Sequence, residues 1–316
     1  MLPKERIFRS SIYATCVRIC WISDLPQNTT VSLHIGAHKT ATTHLQRTLQ
    51  RNSEVLSQAG VTFLGPKYLR DPEHRLVDMF GLDGRGASID GGEQVRMLAD
   101  GAPQLILSEE NLLGLSMSDQ RPSILYPRAA VRIGRLLEHM SPKSATLFLS
   151  VREPAAWLAS LYSQKIKGGK IQSFEEFCKG FPPSDIAWSH LLRRFTALNN
   201  HQCITVWRYE DYQTLFPQAV HAMTGADLSA ALKPISRRVN TSLSGAAINQ
   251  MLEWHQTKRS GHPERWSKEA ASLFPLSDRY PAFDPWDAIT KDESRRAYDA
   301  DWLAIQNMPG VNILGA

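Results

Sequence analysis

Cysteine is scarce in this sequence, and long apolar runs are absent from it. The 316-residue chain has four cysteines, Cys16, Cys20, Cys178 and Cys203, at irregular spacing. Sparse cysteines disfavour a disulfide-stapled secreted scaffold, and no cluster of cysteine and histidine accompanies the first pair to form a zinc site. No apolar run approaches the ~18 residues of a membrane span, and the N-terminus lacks the clean apolar region and cleavage site of a signal peptide. We therefore expect a cytoplasmic protein that requires no metal.

A strong excess of either charge is also missing. The formal net charge is +5 and the isoelectric point is near 9.0. This mild basicity suits anionic ligands, whereas nucleic-acid binding is not indicated, because basic and aromatic residues are not interleaved. Hydrophobic residues make up 42% of the chain, which is enough for a large core. Because there is no internal repeat or low-complexity linker, residues 29–316 are predicted to form one domain, preceded by an extension at residues 1–28.

The first informative motif is a strand, a turn of small residues and a helix. The apolar run Val31–Ile35 predicts a buried strand, and Gly36 ends it. Thr42 and Thr43 then begin a segment whose apolar residues have helical spacing. The uncapped N–H groups and the positive end of such a helix favour anions, and Lys39 in the turn adds a positive charge. The motif therefore predicts a phosphate-binding loop.

This loop lacks the second glycine of a Walker A sequence. The Walker A form is G-x-x-x-x-G-K-[ST], and here His38 precedes Lys39. A metal-binding aspartate after a strand, which a kinase would also need, is missing. A nucleotide-dependent P-loop kinase is therefore an alternative hypothesis, as is a non-catalytic nucleotide-binding relative.

A second motif lies more than one hundred residues downstream. The segment Ala145–Val151 predicts the strongest strand of the chain, and Arg152 follows it directly. Pro154 suits the first position of a helix, and Ser160 stands eight residues after the arginine. An arginine offers a two-pronged hydrogen bond to phosphate, and a serine hydroxyl adds a directed one. These residue types suit a second phosphate group.

The two motifs together resemble those of sulfotransferases that use 3′-phosphoadenosine 5′-phosphosulfate (PAPS), especially bacterial members. In that family the loop lysine and its neighbours hold the 5′-phosphosulfate, and the later arginine and serine hold the 3′-phosphate. Ala41 stands where the family most often has glycine, and Arg238 lies where a late arginine reaches back to the 3′-phosphate, here without its usual glycine. The resemblance implies the following cofactor-binding residues: Gly36, His38, Lys39, Thr40, Ala41, Thr42, Thr43, Arg152, Ser160 and Arg238.

This resemblance implies a three-layer α/β sandwich around a central, mostly parallel five-stranded sheet with a P-loop-like phosphate-binding loop. Besides the strands of the two motifs, apolar segments at residues 60–66, 104–107 and 203–207 predict the other three. The implied reaction moves the sulfonate of PAPS to a hydroxyl or amine of a carbohydrate or small molecule by in-line displacement. PAPS and this acceptor are the expected partners, with no nucleic acid.

Lys39 is predicted to stabilise charge on the leaving phosphate oxygen, whereas the identity of the general base is left open. His74 lies in a loop-rich segment, residues 67–92, that could line an acceptor cleft. His38 and His44 flank the phosphate loop and are further candidates, because histidine is the usual base near neutral pH.

Two acids after the third predicted strand are also candidates for the base. Glu109 and Glu110 would face the ligand if that strand is parallel to its neighbours. Alternatively, Ser108 caps a helix there, and the acids favour its positive end. The residues predicted to be catalytic are Lys39, His74 and Glu109.

Two further basic segments allow more than one interpretation. Arg128, Arg132 and Arg135 share one side of a predicted helix and are most simply a solvated face. Residues 164–172 contain three lysines and two glycines, and they either close over an anionic ligand or are merely exposed.

Overall fold

The computed structural model describes residues 29–73, 75–84, 86, 99, 101–117, 124–140, 144–198, 203–228, 230–235 and 242–315. The predicted extension at residues 1–28, the catalytic candidate His74 and the cofactor-binding candidate Arg238 lie outside the described residues. Their suggested roles stay predictions.

In the part of the chain that the structure describes, six parallel strands form a sheet in the order β2-β3-β1-β4-β5-β6. The strands are β1 Thr30–His34, β2 Val61–Leu64, β3 Gln104–Ser108, β4 Ser144–Val151, β5 Cys203–Arg208 and β6 Val311–Ile313. The prediction of an α/β protein with a central parallel sheet is confirmed. Each of the five predicted strands is present, and β6 is an addition.

The sixth strand is too short to show a strand pattern of its own. Val311 and Ile313 are half-buried, and Asn312 between them is exposed. The strand pairs in parallel with β5, where Val311 lies opposite Ile204. Three residues cannot establish an alternation, so only the partner strand identifies this segment.

Helices cover both faces of the sheet. Those described are α1 Thr42–Arg51, α2 Ser53–Gln58, α3 Pro66–Leu69, α4 Leu76–Met79, α5 Ala129–Met140, α6 Pro154–Lys167, α7 Phe174–Cys178, α8 Trp188–Thr196, α9 Tyr212–Thr224, α10 Gly245–Gln256, α11 Pro263–Leu273 and α12 Ala288–Gln306. Strand side chains alternate between the faces: Leu147 and Leu149 pack in the apolar cluster with α5, α6 and α8, whereas Phe148 packs with α1 and α9. Among these helices, none has both the length and the apolar composition needed to cross a membrane.

The strand order determines where loops can form a site. β1 lies between β3 and β4, with β2 beyond β3, and with β5 and β6 beyond β4. The chain therefore passes from one side of β1 to the other. In sheets of this kind, the loops at the carboxyl ends of the strands on either side of that switch enclose a crevice.

Arg132 corrects the prediction that the arginines of α5 form a solvated face. Its side chain is only 8% exposed. Its guanidinium donates to the backbone oxygens of Leu82, Asn111 and Leu112 at 2.8–3.0 Å. The helical pattern indicated the face correctly, but it could not show that backbone carbonyls from two loops cover that face.

Candidate functional site

The loop after β1 is held against β4 by backbone hydrogen bonds. The amides of Ile35 and Gly36 both donate to the oxygen of Phe148, at 3.1 and 3.4 Å. Gly36 has a φ of +34°, and a Cβ there would lie 2.3 Å from Cγ2 of Thr42. A glycine is therefore required where the chain turns back over the start of α1.

Two further loop residues have left-handed backbone conformations. The φ angles are 67° at Lys39 and 62° at Ala41, the residue that precedes α1. Between them, the buried hydroxyl of Thr40 donates to the oxygen of Ala37 at 2.6 Å. The residue before α1, Ala41, has no side-chain oxygen with which to cap the helix. The start of α1 therefore offers backbone N–H groups and the positive end of the helix dipole to an anion.

Arg152 connects the two sequence motifs in space. It follows β4 and donates from Nη1 to the backbone oxygen of Lys39 at 2.8 Å. Its guanidinium carbon lies 4.4 Å from the ring centre of Tyr209. Its buried Nε atom has no hydrogen-bond partner among the described residues. A buried donor of this kind is costly unless a ligand pairs with it.

Two cations, Lys39 and Arg152, lie close together at this point. Burial lowers the pKa of Lys39, and the neighbouring charges of Arg152 and Lys167 lower it further. Burial also lowers the pKa of Arg152, although Tyr209 and Glu210 act in the opposite direction. Across the described residues, no carboxylate forms an ion pair with the ammonium group of Lys39. Two crowded cations beside an uncapped helix fit the phosphate groups of a nucleotide.

A cavity of about 310 Å³ adjoins Arg152 on the side of α6. Ser160, which is 8% exposed, also lines it, so the structure places both residues of the second motif in one cavity. Glu153 caps α6 by accepting from the amides of Ala155 and Ala156. The lining also includes Trp286, Arg295 and the ion pair between Lys291 and Asp284. Sequence analysis missed these residues because no motif surrounds them.

His38 is held on three sides by groups from distant parts of the chain. Its amide donates to the hydroxyl of Tyr126 at 3.0 Å, and its Nδ1 lies 3.1 Å from the same hydroxyl. Its Nε2 lies 3.3 Å from Oδ1 of Asn111, and its backbone oxygen accepts from the indole of Trp157 at 2.9 Å. Burial lowers the pKa of His38, although Glu110 and Asn111 oppose this shift. The imidazole is therefore uncharged near neutral pH.

Glu109, predicted to be catalytic, lies at the same edge of the sheet, but its carboxylate already accepts three hydrogen bonds. Its carboxylate accepts from Nε and Nη2 of Arg70 at 2.6 and 2.8 Å, and from the amide of Asn111 at 2.8 Å. Its side chain is only 3% exposed. Such a carboxylate caps the short turn Glu110–Leu113, as the alternative interpretation of these acids anticipated, although with Glu109 rather than Ser108 as the cap.

Glu110 has a second set of partners beside the phosphate loop. Its carboxylate accepts from Nη2 of Arg70 and from the side-chain Nε2 of Gln46 in α1, both at 2.8 Å. Burial alone would raise the pKa of Glu110, but the hydrogen bond from Gln46 and the charge of Arg70 outweigh it and lower this pKa. Glu110 therefore stays ionised and ties the loop after β3 to the first helix.

The structure thus brings most of the predicted site residues to one edge of the sheet. The loop residues, Arg152 and Glu109 follow β1, β4 and β3, and Ser160 lies on α6 beside them. His44 instead faces α9, where its Nδ1 lies 2.8 Å from the hydroxyl of Tyr212. Within the described ranges, no group of three or more His, Cys, Asp or Glu side chains is arranged to hold a metal ion.

Comparison with protein-family models and with curated proteins gave no match. Among solved structures, a sulfotransferase from Alicyclobacillus acidocaldarius is similar at a TM-score of 0.40 and 15% identity, covering 77% of this chain and 94% of the other. A retinol dehydratase in complex with androsterone and the inactive cofactor PAP is similar at a TM-score of 0.27 and 11% identity, covering 91% and 82%. Likenesses at this level carry no functional argument, so function must be inferred from the site itself.

Proposed function

We propose that this protein is a sulfotransferase that moves the sulfonate of PAPS to the hydroxyl of an acceptor. The observation that supports this most directly is the hydrogen bond from Arg152 to the backbone of Lys39. It joins an uncapped helix start to a cavity that contains Arg152 and Ser160. Two anion-binding places side by side suit a nucleotide with phosphate on both the 5′ and the 3′ oxygen.

In this proposal the acceptor oxygen forms a bond to sulfur while the bond from sulfur to the 5′-phosphate oxygen breaks. The hydroxyl proton passes to a base, and adenosine 3′,5′-bisphosphate leaves with the electron pair. Lys39 and the N–H groups of α1 offset the charge that grows on the departing oxygen. Arg152 and Ser160 hold the 3′-phosphate. No step requires a metal, because these cations and dipoles supply the charge compensation.

We assign the base to His38 rather than to Glu109. In the tautomer that donates from Nδ1 to the hydroxyl of Tyr126, Nε2 is the proton acceptor, and the acceptor hydroxyl takes the place of the 3.3 Å contact with Asn111. His38 is adjacent to Lys39, is uncharged near neutral pH and borders a second cavity. The three donors on the carboxylate of Glu109 leave little capacity for a substrate proton. We therefore propose that Glu109 positions the loop after β3. His74 and Arg238 remain candidates on sequence grounds alone.

Calorimetric titration tests this proposal. Adenosine 3′,5′-bisphosphate is expected to bind roughly a hundredfold more tightly than AMP, since charge-assisted bonds to the extra phosphate are each worth ~1.5–3 kcal/mol. Arg152→Ala is expected to remove this preference, and Ser160→Ala to reduce it about fivefold. Arg193→Ala, which removes an exposed arginine of α8, is the matched control and should change neither affinity.

Two results would contradict the proposal. If the bisphosphate binds no better than AMP to the wild type, the chain has no site for a 3′-phosphate. If ATP with magnesium binds more tightly than the bisphosphate, the kinase alternative is favoured instead.

A further inference from the structure

A second cavity, of about 250 Å³, adjoins the phosphate loop at His38. Its other walls include Leu161 and Gln164 of α6, Lys165 and Lys170 around the end of that helix, and Phe177 of α7. The residues that line it are all different from those of the Arg152 cavity. α6 therefore separates two binding spaces, and only the second contains the residue that precedes Lys39.

The polar part of this second cavity is positively charged. Lys165 and Lys170 are exposed and line it, and none of its described lining residues is acidic. Lys167, between them in sequence, is close enough for its charge to lower the pKa of Lys39. Positive charge therefore extends from the phosphate loop along the 164–170 segment, and it favours an anion over a neutral or cationic guest.

The remaining lining is apolar. Leu161 is 7% exposed and Phe177 is 6% exposed, so both present fixed surfaces rather than mobile side chains. The ammonium group of Lys165 lies 5.0 Å from the ring centre of Phe177, which places the cationic and apolar walls next to each other. The volume is slightly below the range usual for drug-sized ligands, so it fits a molecule of about one ring.

We propose that this cavity binds the acceptor and selects a small hydroxylated acid, with its hydroxyl at His38, its ring against Phe177 and its anionic group at Lys165 and Lys170. This inference rests on the proposed sulfotransferase activity and adds the acceptor class to it. The acceptor hydroxyl forms the new bond to sulfur while the bond from sulfur to the 5′-phosphate oxygen breaks. The hydroxyl proton moves to Nε2 of His38, and the bisphosphate leaves with the electron pair. The 164–172 segment thus contacts an anionic ligand, but that ligand is the acceptor rather than the nucleotide.

The experiment compares single-ring phenolic acids with their amides, beginning with 3-(4-hydroxyphenyl)propanoate. Each compound is titrated by calorimetry into the full-length protein saturated with adenosine 3′,5′-bisphosphate, and the same pairs are assayed for sulfonate transfer from PAPS. The acid is expected to bind about fivefold more tightly than its amide, which is the scale of partly exposed ion pairs. It should show a similar advantage in kcat/KM.

Charge reversal then identifies the side chains responsible. Lys165→Glu combined with Lys170→Glu is expected to abolish or invert the preference for acids while leaving the affinity for the bisphosphate unchanged. Lys268→Glu, on the exposed side of α11, is the matched control and should preserve the preference. Both lysines of the cavity are exposed, so the double variant should fold, and its thermal midpoint verifies this.

The outcomes separate this inference from the function on which it rests. If the bisphosphate itself fails to bind, the proposed function is wrong and the acceptor assignment falls with it. If the bisphosphate binds but no acid of the panel binds better than its amide, only the acceptor class is overturned. If the preference for acids survives the double charge reversal, Lys165 and Lys170 do not bind the anionic group, and the proposed position of the acceptor is wrong.

Discussion

Two charged clusters lie at the same edge of the sheet and differ in how their charge is balanced. In the first, Arg70 makes two hydrogen bonds to Glu109 and one to Glu110, so a partly exposed cation balances a buried carboxylate and its neighbour. In the second, Lys39 and Arg152 crowd together, and both pKa values are lowered by burial. We interpret the first arrangement as structural and the second as the proposed anion-binding site, because an anion would offset the repulsion between the two cations. In this protein, charge balance separates the two clusters, whereas their residue types do not.

The largest effect is expected from Lys39→Met. Loss of the cation at the departing oxygen should lower kcat for sulfonate transfer roughly a hundred- to a thousandfold, as removal of one transition-state donor does elsewhere. The thermal midpoint should stay the same or rise, because the folded protein currently bears the cost of a buried, repelled charge. The measurement is a PAPS turnover assay beside thermal unfolding without ligand. A large fall in stability with little loss of turnover would assign Lys39 to the structural cluster.

A smaller effect, on the free energy of unfolding rather than on turnover, is expected from Arg70→Met. Leaving the 3%-exposed Glu109 without its partner should cost about 2 kcal/mol of unfolding free energy, which is below the value for fully buried pairs because Arg70 is itself 46% exposed. The affinity of the folded protein for the bisphosphate should not change. Urea unfolding measures the first quantity, and calorimetry measures the second.

Arg75→Met is the matched control for this substitution. Arg75 and Asp78 form an exposed i,i+3 pair, with side chains 50% and 48% exposed. Its loss should cost less than about 0.5 kcal/mol. Equal effects of the two substitutions would show that Arg70 contributes no more than a surface ion pair.

The smallest effect is expected from relieving backbone strain at Ala41, in the phosphate loop before α1. Ala41→Gly should stabilise the protein by about 0.5–1 kcal/mol, because alanine at a φ of 62° pays a steric cost that glycine avoids. Ala300→Gly, at an exposed position in the interior of α12, should destabilise by a similar amount, since glycine weakens a regular helix. Chemical denaturation of the two variants and the wild type measures these changes in unfolding free energy. A loss of stability in Ala41→Gly would mean that the left-handed turn before α1 is not strained.

Parts of the candidate site could be predicted because the chemistry is local in sequence. The turn from Gly36 to the start of α1 and the segment from Arg152 to Ser160 are short, and their residue types suit phosphate. Tyr126 and Asn111 could not be found in this way, because they reach His38 only through folding. The same holds for Arg295, which lies more than one hundred residues from Ser160 and lines the same cavity.

The sequence by itself determined the five main strands, the position of the turn after β1 and the α/β class, because apolar periodicity and backbone preferences act over a few residues. Only the tertiary structure decided that β6 joins the sheet, that Arg132 is buried, and that Glu109 is paired whereas no carboxylate among the described residues pairs with Lys39. These features depend on which residues, distant in sequence, lie next to one another in the protein interior. The cost of a buried charge or polar atom is set by its neighbours in space, and a linear pattern does not contain them.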